Sequence, residues 1–270
     1  MTTYAEHYKK CCDIGGFSPT KYSCLYDLIV DTELFDTNEQ YHKLIQGIHT
    51  KVSEKIDKER GCYCDPHAIR LNEWQDITEV SALAQMLLPQ VEQKVFGCYA
   101  SVDFVHIYRS IPGNDEPTAS WLWHYDDCPK EFLKLMIYLN DVDEDSGCFR
   151  ILIDKDGNFP VIPTYRLSTA KGGRSQKSQV YDASRIPQHV ILEAVEEGGK
   201  ILNVTGPAGT YALITPNIYH RATIPKPGCK NPRDVLFFFI RPCLQKKEKY
   251  IDKNTGSFRP TRNVKTYRLN

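Results

Sequence analysis

The sequence predicts a mainly β protein with flanking helices, whose core is a double-sheet barrel or jelly roll. From residue 97 onward, apolar residues recur at every second position in many short stretches, which is the period of strands. Turn-forming residues separate these stretches, and helices do not alternate with them, so a parallel α/β sheet is disfavoured. The chain has 270 residues, of which 41% are apolar, and is long enough to bury such a core.

Charge and the lengths of the apolar runs limit the partners that we expect. Lysine plus arginine and aspartate plus glutamate both number 34, so the net charge of zero gives no long-range attraction to nucleic acid. No run reaches the roughly 18 apolar residues of a membrane span, and no signal peptide is evident. We expect a cytoplasmic protein that binds neither nucleic acid nor a membrane.

The ten cysteines are interpreted as reduced, mostly structural thiols, because the chain is long and carries no secretory signal. The exception to weigh is a short run in which Cys62, Cys64 and His67 offer two sulfurs and an imidazole. A structural zinc ion needs four ligands, usually as two separated pairs, and no second pair has a recognisable spacing. We therefore do not expect zinc there.

The helical N-terminal region is predicted to span residues 1–96 and to pack on the core. Apolar residues recur at helical spacing over residues 39–58, which follow the N-cap candidates at 36–38. A second helix is expected over residues 77–95, with Pro89 as a kink or break. These helices carry no obvious chemistry and are expected to cover one face of a sheet.

The β core is predicted to span residues 97–243, with an insertion at 154–209 and a C-terminal tail at 244–270. The polar, glycine-containing loop at 171–177 is either solvated or a lid that supplies cations to an acidic substrate. The tail either folds back or mediates a homodimer. In chain order, the expected strands lie at 102–108, 121–126, 132–140, 148–153, 188–194, 211–215, 220–224 and 235–241.

The pattern that carries chemistry is His124-Tyr125-Asp126 with the distant His220. In an extended segment, side chains two positions apart share a face, so His124 and Asp126 can bind one ion. A second histidine from another strand would complete the set. Two histidines and one carboxylate, with the opposite positions open, are typical of non-haem Fe(II) oxygenases. Each residue alone is ordinary, because a lone histidine on a strand more often packs or forms a hydrogen bond.

Two arginines belong to the next strand. Between Arg233 and Arg241, alternate residues share a face. Either guanidinium can therefore present its planar donors to a carboxylate inside the barrel.

Ordered motifs in the second half of the chain resemble the core of phytanoyl-CoA-dioxygenase-like enzymes. They are His124-Tyr125-Asp126 and the segments 135–142, 147–149, 216–222 and 232–238, so the resemblance covers roughly residues 97–243. The resemblance implies a double-stranded β-helix, the cupin-like form of the jelly roll. It also implies an Fe(II)- and 2-oxoglutarate-dependent dioxygenase that hydroxylates a small-molecule substrate and releases succinate and CO2.

Site residues follow from the same resemblance. His124, Asp126 and His220 are implied to be the iron ligands, which leave positions for 2-oxoglutarate and O2. Arg233 is implied to bind the distal carboxylate of 2-oxoglutarate, and Tyr138 to line the cosubstrate pocket. The arginine of such enzymes follows the second histidine at a slightly shorter interval, and the turn-forming residues before Arg233 can absorb the difference.

Other side chains near these motifs have two interpretations. Trp121, Trp123 and Tyr125 should face away from the ligands and pack against the helices, with contact to a substrate as the alternative. His106 and Tyr108 are candidates for substrate contacts at the mouth of the barrel. The possible substrate cations are Arg109, Arg150, Arg166 and Arg174.

Alternative functions stay open at this point. The same chemistry serves a hydroxylase of a protein side chain or a nucleobase. A jelly-roll module that binds a metal or a ligand without oxygen chemistry is a different class, but a plain metal-binding module has no need of a dicarboxylate anchor such as Arg233 next to the metal. A hydrolytic zinc enzyme is disfavoured, because the sequence contains no H-E-x-x-H motif.

Overall fold

The computed structural model describes most of the chain. The described residues are 3–23, 25–56, 58, 67–126, 128–161, 184–252 and 255–257. Several predicted features lie outside them, namely Cys62, Cys64, Arg166, Arg174, the loop at 171–177 and the tail beyond residue 257. The seven cysteines in the described part are free thiols, as expected. No helix in that part is long and apolar enough to cross a membrane.

Three of the four α-helices in the described residues come from the N-terminal region. They are α1 (Tyr4–Gly15), α2 (Glu39–Ile56) and α3 (Thr78–Val91), followed much later by α4 (Gln188–Glu196). Helix α1 begins with a capping box, in which the Thr3 side chain accepts from the Glu6 N–H and Glu6 accepts from the Thr3 N–H. Helix α3 contains Pro89 and continues as a π-helical segment, so the predicted helix is confirmed with a change of winding at its end.

Ten strands form two sheets in the described part. The strands are β1 (Val30–Asp31), β2 (Ala68–Leu71), β3 (Tyr99–Ser110), β4 (Leu133–Tyr138), β5 (Phe149–Ile153), β6 (Lys200–Val204), β7 (Tyr211–Ile214), β8 (His220–Ala222), β9 (Asp234–Cys243) and β10 (Gly256–Ser257). The larger sheet has the order β1-β7-β4-β9-β3-β10, with β2 also paired to β3, and the smaller has the order β6-β5-β8. All neighbours are antiparallel except β10 and β3.

This strand order is that of a jelly roll. An isolated antiparallel bridge between His124 and His220 adds a fourth, very short element to the smaller sheet, beyond β8. The strands β7-β4-β9-β3 then face β6-β5-β8 and the His124 bridge across a shared core. The predicted fold class, mainly β with flanking helices around a jelly-roll core, is therefore confirmed.

Side-chain alternation along the larger sheet separates two hydrophobic cores. On β4 and β9, Leu135 and Phe238 pack with the N-terminal helices, where Ile48 of α2 and Leu87 of α3 are fully buried. The residues that alternate with these along each strand, for example Phe237 of β9, point into the space between the sheets. The helices thus cover one face of the sheet, as expected, and leave the other face to the site.

Two predicted strands are absent from the described structure. Residues 121–126 contain only the bridge at His124, and residues 188–194 belong to α4. The second prediction was wrong because a short apolar run fits either period. The helix begins after Pro187 and places Ile191 beside Trp123 in a small apolar cluster. Strands β1, β2, β6 and β10 were not predicted.

Gly147, just before β5, allows the chain to pass close to the segment that follows β8. Its φ is +88°, and an added Cβ would lie 2.5 Å from the Thr223 carbonyl oxygen and 2.9 Å from the ring of Pro225. Thr223 in turn donates from its hydroxyl to the Cys148 carbonyl at 2.8 Å. Only glycine combines this backbone conformation with this contact.

Replacing Gly147 with alanine should destabilise the protein more than replacing Gly157. Gly157 has a φ of +84° but nothing within 4 Å of an added Cβ, so Gly157→Ala should cost only backbone strain, about 1 kcal/mol. Gly147→Ala adds steric overlap to the same strain and should cost about 2 to 4 kcal/mol. Urea unfolding measures both losses, and equal values would contradict the importance of the Thr223 contact.

Candidate metal centre

The two histidines of the candidate site are direct neighbours across the smaller sheet. The His124 N–H donates to the His220 carbonyl and the His220 N–H donates to the His124 carbonyl, both at 2.9 Å. Opposite residues in an antiparallel pair project from the same face, and the two ring centroids lie 4.3 Å apart. The backbone register therefore brings together residues that are far apart in the sequence.

Asp126 joins the histidines without being part of a regular strand. Its N–H donates to the Pro216 carbonyl at 3.0 Å. One carboxylate oxygen lies 3.6 Å from His124 Nε2, and the other lies 3.7 Å from His220 Nε2. The three residues form the one group of potential metal ligands found in the described part of the chain, with ligand atoms within 4.8 Å of one another.

Both imidazoles are fixed in one tautomer. His124 Nδ1 lies 2.8 Å from the Leu122 carbonyl oxygen, and His220 Nδ1 lies 2.9 Å from the Ile218 carbonyl oxygen. A carbonyl can only accept, so each Nδ1 donates and each Nε2 keeps its lone pair for the site. A backbone carbonyl on the second nitrogen is typical of histidines that bind metals. Burial also lowers the pKa of both histidines, which keeps them neutral.

The carboxylate of Asp126 is ionised. Burial is the largest single effect and alone would raise its pKa, but the Lys134 ammonium and the two histidines together hold the pKa well below its usual range. Two neutral imidazoles and one carboxylate are a donor set for a first-row divalent metal. The residues therefore fit such an ion.

Lys134 is a component of the site that the sequence analysis missed. Its Nζ lies 2.7 Å from Asp126 Oδ2 and 3.4 Å from His220 Nε2, and its side chain is only 9% exposed. The signal was present, because a lysine inside the apolar run of β4, two positions before Met136, has to face the same way as that residue. The Asp126 carboxylate, which would bind a metal ion, is thus in contact with the Lys134 ammonium.

Arg233 lies at the start of β9 and is completely buried. Its Nη2 donates to the Tyr108 hydroxyl at 3.0 Å, and the guanidinium lies 5.4 Å from the Tyr108 ring and 5.7 Å from the Trp121 ring. Within the described residues, Nε and Nη1 have no hydrogen-bond partner. A buried guanidinium with two unused donors is costly, and an anionic ligand is what would satisfy it.

The second arginine of this strand has another role. Arg241 Nε donates to Asp103 at 2.7 Å, and neither residue lines the cavity at the triad. Two further cation candidates are also engaged elsewhere. Arg109 pairs with Asp234 at 2.7 Å, and Arg150 lies 4.0 Å from Glu144.

The triad faces a cavity between the two sheets with mainly aromatic walls. Tyr108, Trp121, Phe149, Phe237 and Phe239 line it. His106 and Tyr108 line this cavity, as their predicted position at the barrel mouth requires. Arg70 of β2, which was not predicted, also lines it and lies beside His106.

Trp121 departs from the expected alternation, whereas Trp123 and Tyr125 lie away from the cavity, as predicted. Trp121 lines the cavity instead of packing against the helices, and Trp123 packs with Leu152, Ile186 and Ile191 in a separate cluster. Alternation fails here because the segment is not a regular strand.

Tyr138 is fully buried and does not line this cavity. Its hydroxyl donates to the Val204 carbonyl at 2.7 Å and accepts from the Phe149 N–H at 2.9 Å, so it connects the two sheets. Its role as a cosubstrate residue stays a prediction.

Asn217 positions the Asp126 loop and was not singled out from the sequence. Its side-chain oxygen accepts from the Cys128 N–H at 2.9 Å, and its amide donates to the Cys128 carbonyl at 2.8 Å. Asn217 is 1% exposed. This paired contact fastens the segment after Asp126 to the segment before His220.

Comparisons with known proteins give distant likenesses only. No family model and no curated protein matches the sequence. EctD from S. alaskensis with bound Fe is 13% identical over 81% of this chain and 74% of that chain, with a TM-score of 0.44. HygX from Streptomyces hygroscopicus with nickel, 2-oxoglutarate and hygromycin B bound is 15% identical over 82% and 86%, with a TM-score of 0.43. EctD with 2-oxoglutarate and 5-hydroxyectoine is 12% identical over 89% and 81%, with a TM-score of 0.47.

Replacing Asn217 with alanine should weaken metal binding without touching a ligand. The variant removes the two hydrogen bonds between the Asn217 side chain and the Cys128 backbone and loosens the Asp126 loop, so we expect metal affinity to fall by about 10- to 100-fold. A titration with Co(II), followed by its visible absorption, measures the affinity. Asn158→Ala, at an exposed loop position, is the matched control. An unchanged affinity in Asn217→Ala would show that the loop is held by other contacts.

Proposed function

We propose that this chain is an Fe(II)- and 2-oxoglutarate-dependent dioxygenase that hydroxylates a small-molecule substrate, with succinate and CO2 as coproducts. One observation carries the proposal. Two neutral histidines and an ionised aspartate converge on one face of a cavity, and the buried Arg233, which contacts the cavity residues Tyr108 and Trp121, keeps two donors without a partner in the described part of the chain. A metal alone has no use for such a guanidinium, whereas a chelating dicarboxylate does.

Two groups of residues would bind the metal ion and the cosubstrate. Nε2 of His124, Nε2 of His220 and a carboxylate oxygen of Asp126 would hold the iron. When bound, iron with 2-oxoglutarate and O2 supplies an oxidant that removes a hydrogen atom from a nearby substrate. Arg233 would bind the distal carboxylate, and the Tyr108 hydroxyl at 3.0 Å orients the guanidinium toward it.

The aromatic walls serve the same reaction. Phe149 lies 5.1 Å from the His220 ring, and Phe237 and Phe239 continue the apolar surface beside the triad. Such a lining excludes water, which strengthens the attraction between Arg233 and a carboxylate and protects a reactive centre from stray reductants. A cavity between two sheets also favours a small molecule over a protein side chain or a nucleobase within a polymer.

A second candidate is a jelly-roll protein that binds an anion without oxygen chemistry. The observation that favours it is the 2.7 Å contact between Lys134 and Asp126, which already supplies a cation for the carboxylate. In this candidate, Arg233 and Lys134 bind the ligand and the histidines complete the pocket.

An anaerobic titration with Fe(II) and then 2-oxoglutarate separates the two candidates. Chelation of iron by the keto acid gives a weak visible charge-transfer band, which we expect in the wild type and not in Asp126→Ala. Arg233→Gln should need about 100-fold more 2-oxoglutarate to reach the same band, because a buried charge-assisted contact is lost. Arg150→Gln, outside the cavity, is the control and should behave as the wild type. Bound Fe(II) without the band would favour the anion-binding candidate.

A further inference from the structure

The Lys134 ammonium lies among the atoms that would bind the metal. It is 2.7 Å from Asp126 Oδ2 and 3.4 Å from His220 Nε2. The Nε2 lone pair of His220 is available, because Nδ1 donates to the Ile218 carbonyl. The ammonium also lies 4.9 Å from the Phe237 ring centroid and 5.4 Å from that of Phe239. Lys134 is therefore a buried cation held by one carboxylate, one imidazole and two ring faces.

We propose that Lys134 competes with the metal ion for Asp126 and, once displaced, binds an anionic group of the ligand in the same cavity. The inference rests on the proposed function in one respect, since it takes the triad as the metal site. A divalent ion and an ammonium cannot share one carboxylate in a cavity of low dielectric without strong repulsion. The ammonium must therefore withdraw from Asp126 when the ion binds.

The backbone limits where the ammonium can go. Lys134 is paired with Phe239 of β9 on one side and with Ile214 of β7 on the other, so its Cα is fixed in the interior of the larger sheet. Only the side chain can swing, and the described residues that line the cavity offer it aromatic rings but no carboxylate other than that of Asp126. A cation in such surroundings needs a partner. A carboxylate of 2-oxoglutarate or of an acidic substrate is the group that would supply it.

Opposite effects on two affinities follow from this arrangement. Lys134 opposes the metal, because the ion has to displace it, and supports the anionic ligand, because the released ammonium binds it. A residue that only stabilised the fold would change both affinities in the same direction or neither. The two effects are thus a signature of competition, and binding measurements detect it without any turnover.

The test compares the wild type with Lys134→Met and with Lys155→Met, a control at an exposed lysine far along the chain. Metal affinity is measured with Zn(II) against a chromophoric chelator, without 2-oxoglutarate. The affinity for 2-oxoglutarate is measured by calorimetry on the Co(II)-loaded protein without oxygen. We expect Lys134→Met to bind Zn(II) roughly tenfold more tightly and 2-oxoglutarate roughly tenfold more weakly, the size of one charge-assisted contact. Lys155→Met should change neither.

Each result other than the expected one supports or overturns a stated part of the proposal. Unchanged or weaker Zn(II) binding by Lys134→Met would overturn the competition and leave the proposed function intact. Tighter Zn(II) binding with unchanged 2-oxoglutarate binding would overturn the anion-binding half. If Lys134→Met bound the metal and the wild type did not, the competition would be supported. If neither the wild type nor Lys134→Met bound the metal, both this inference and the proposed function would be overturned. Lys134→Gln, tested in the same way, serves if Lys134→Met does not fold.

Discussion

The reciprocal backbone hydrogen bonds between His124 and His220 are the interaction on which the candidate site depends. They place two residues from distant parts of the chain opposite each other at 2.9 Å, so both imidazoles enter the cavity from one edge of the smaller sheet. Each ring is then oriented by the carbonyl two residues before it. Asp126 reaches the same point because Pro216 and Asn217 hold the segment around it. The site is thus positioned by main-chain contacts, which hold side chains more precisely than packing alone.

The larger sheet provides the opposite wall and connects the stability of the fold to the site. On β4, Leu135 packs against the N-terminal helices while Lys134 faces the cavity, and on β9 Phe238 and Phe237 divide in the same way. A shift of one residue in the register of β4 would place Lys134 in the helical core and Leu135 at the triad. The buried helical interface therefore fixes the register, and the register fixes the lining of the cavity.

What the sequence could predict follows from how local each signal is. Helix α2 and strands β4 and β9 have long, regular periods, and two of the three predicted ligands lie two residues apart, so their proximity needs only local geometry. The position of Trp121 could not be predicted, because its segment is irregular and alternation does not apply. The contact between Tyr108 and Arg233 joins residues 125 positions apart, and only the pairing of β3 with β9 brings them together. The contact between Arg241 and Asp103 likewise joins residues far apart in the sequence, while the role of Arg233 in binding the cosubstrate stays a prediction.

The charges in this cavity are costly for folding, which bears on why they are there. Lys134 and Arg233 are almost completely removed from water, and the acidic group beside the first of them, Asp126, is itself a predicted metal ligand. Apolar residues of similar size would stabilise the fold at least as well, since the desolvation of a buried ion pair often exceeds its attraction. Arg233 is the clearer case, because two of its donors have no partner in the described part of the chain. Local rules of this kind are broken mainly at functional sites. An anion bound to Arg233 would offset this cost, and this is why we propose that a ligand, not the fold, accounts for the guanidinium.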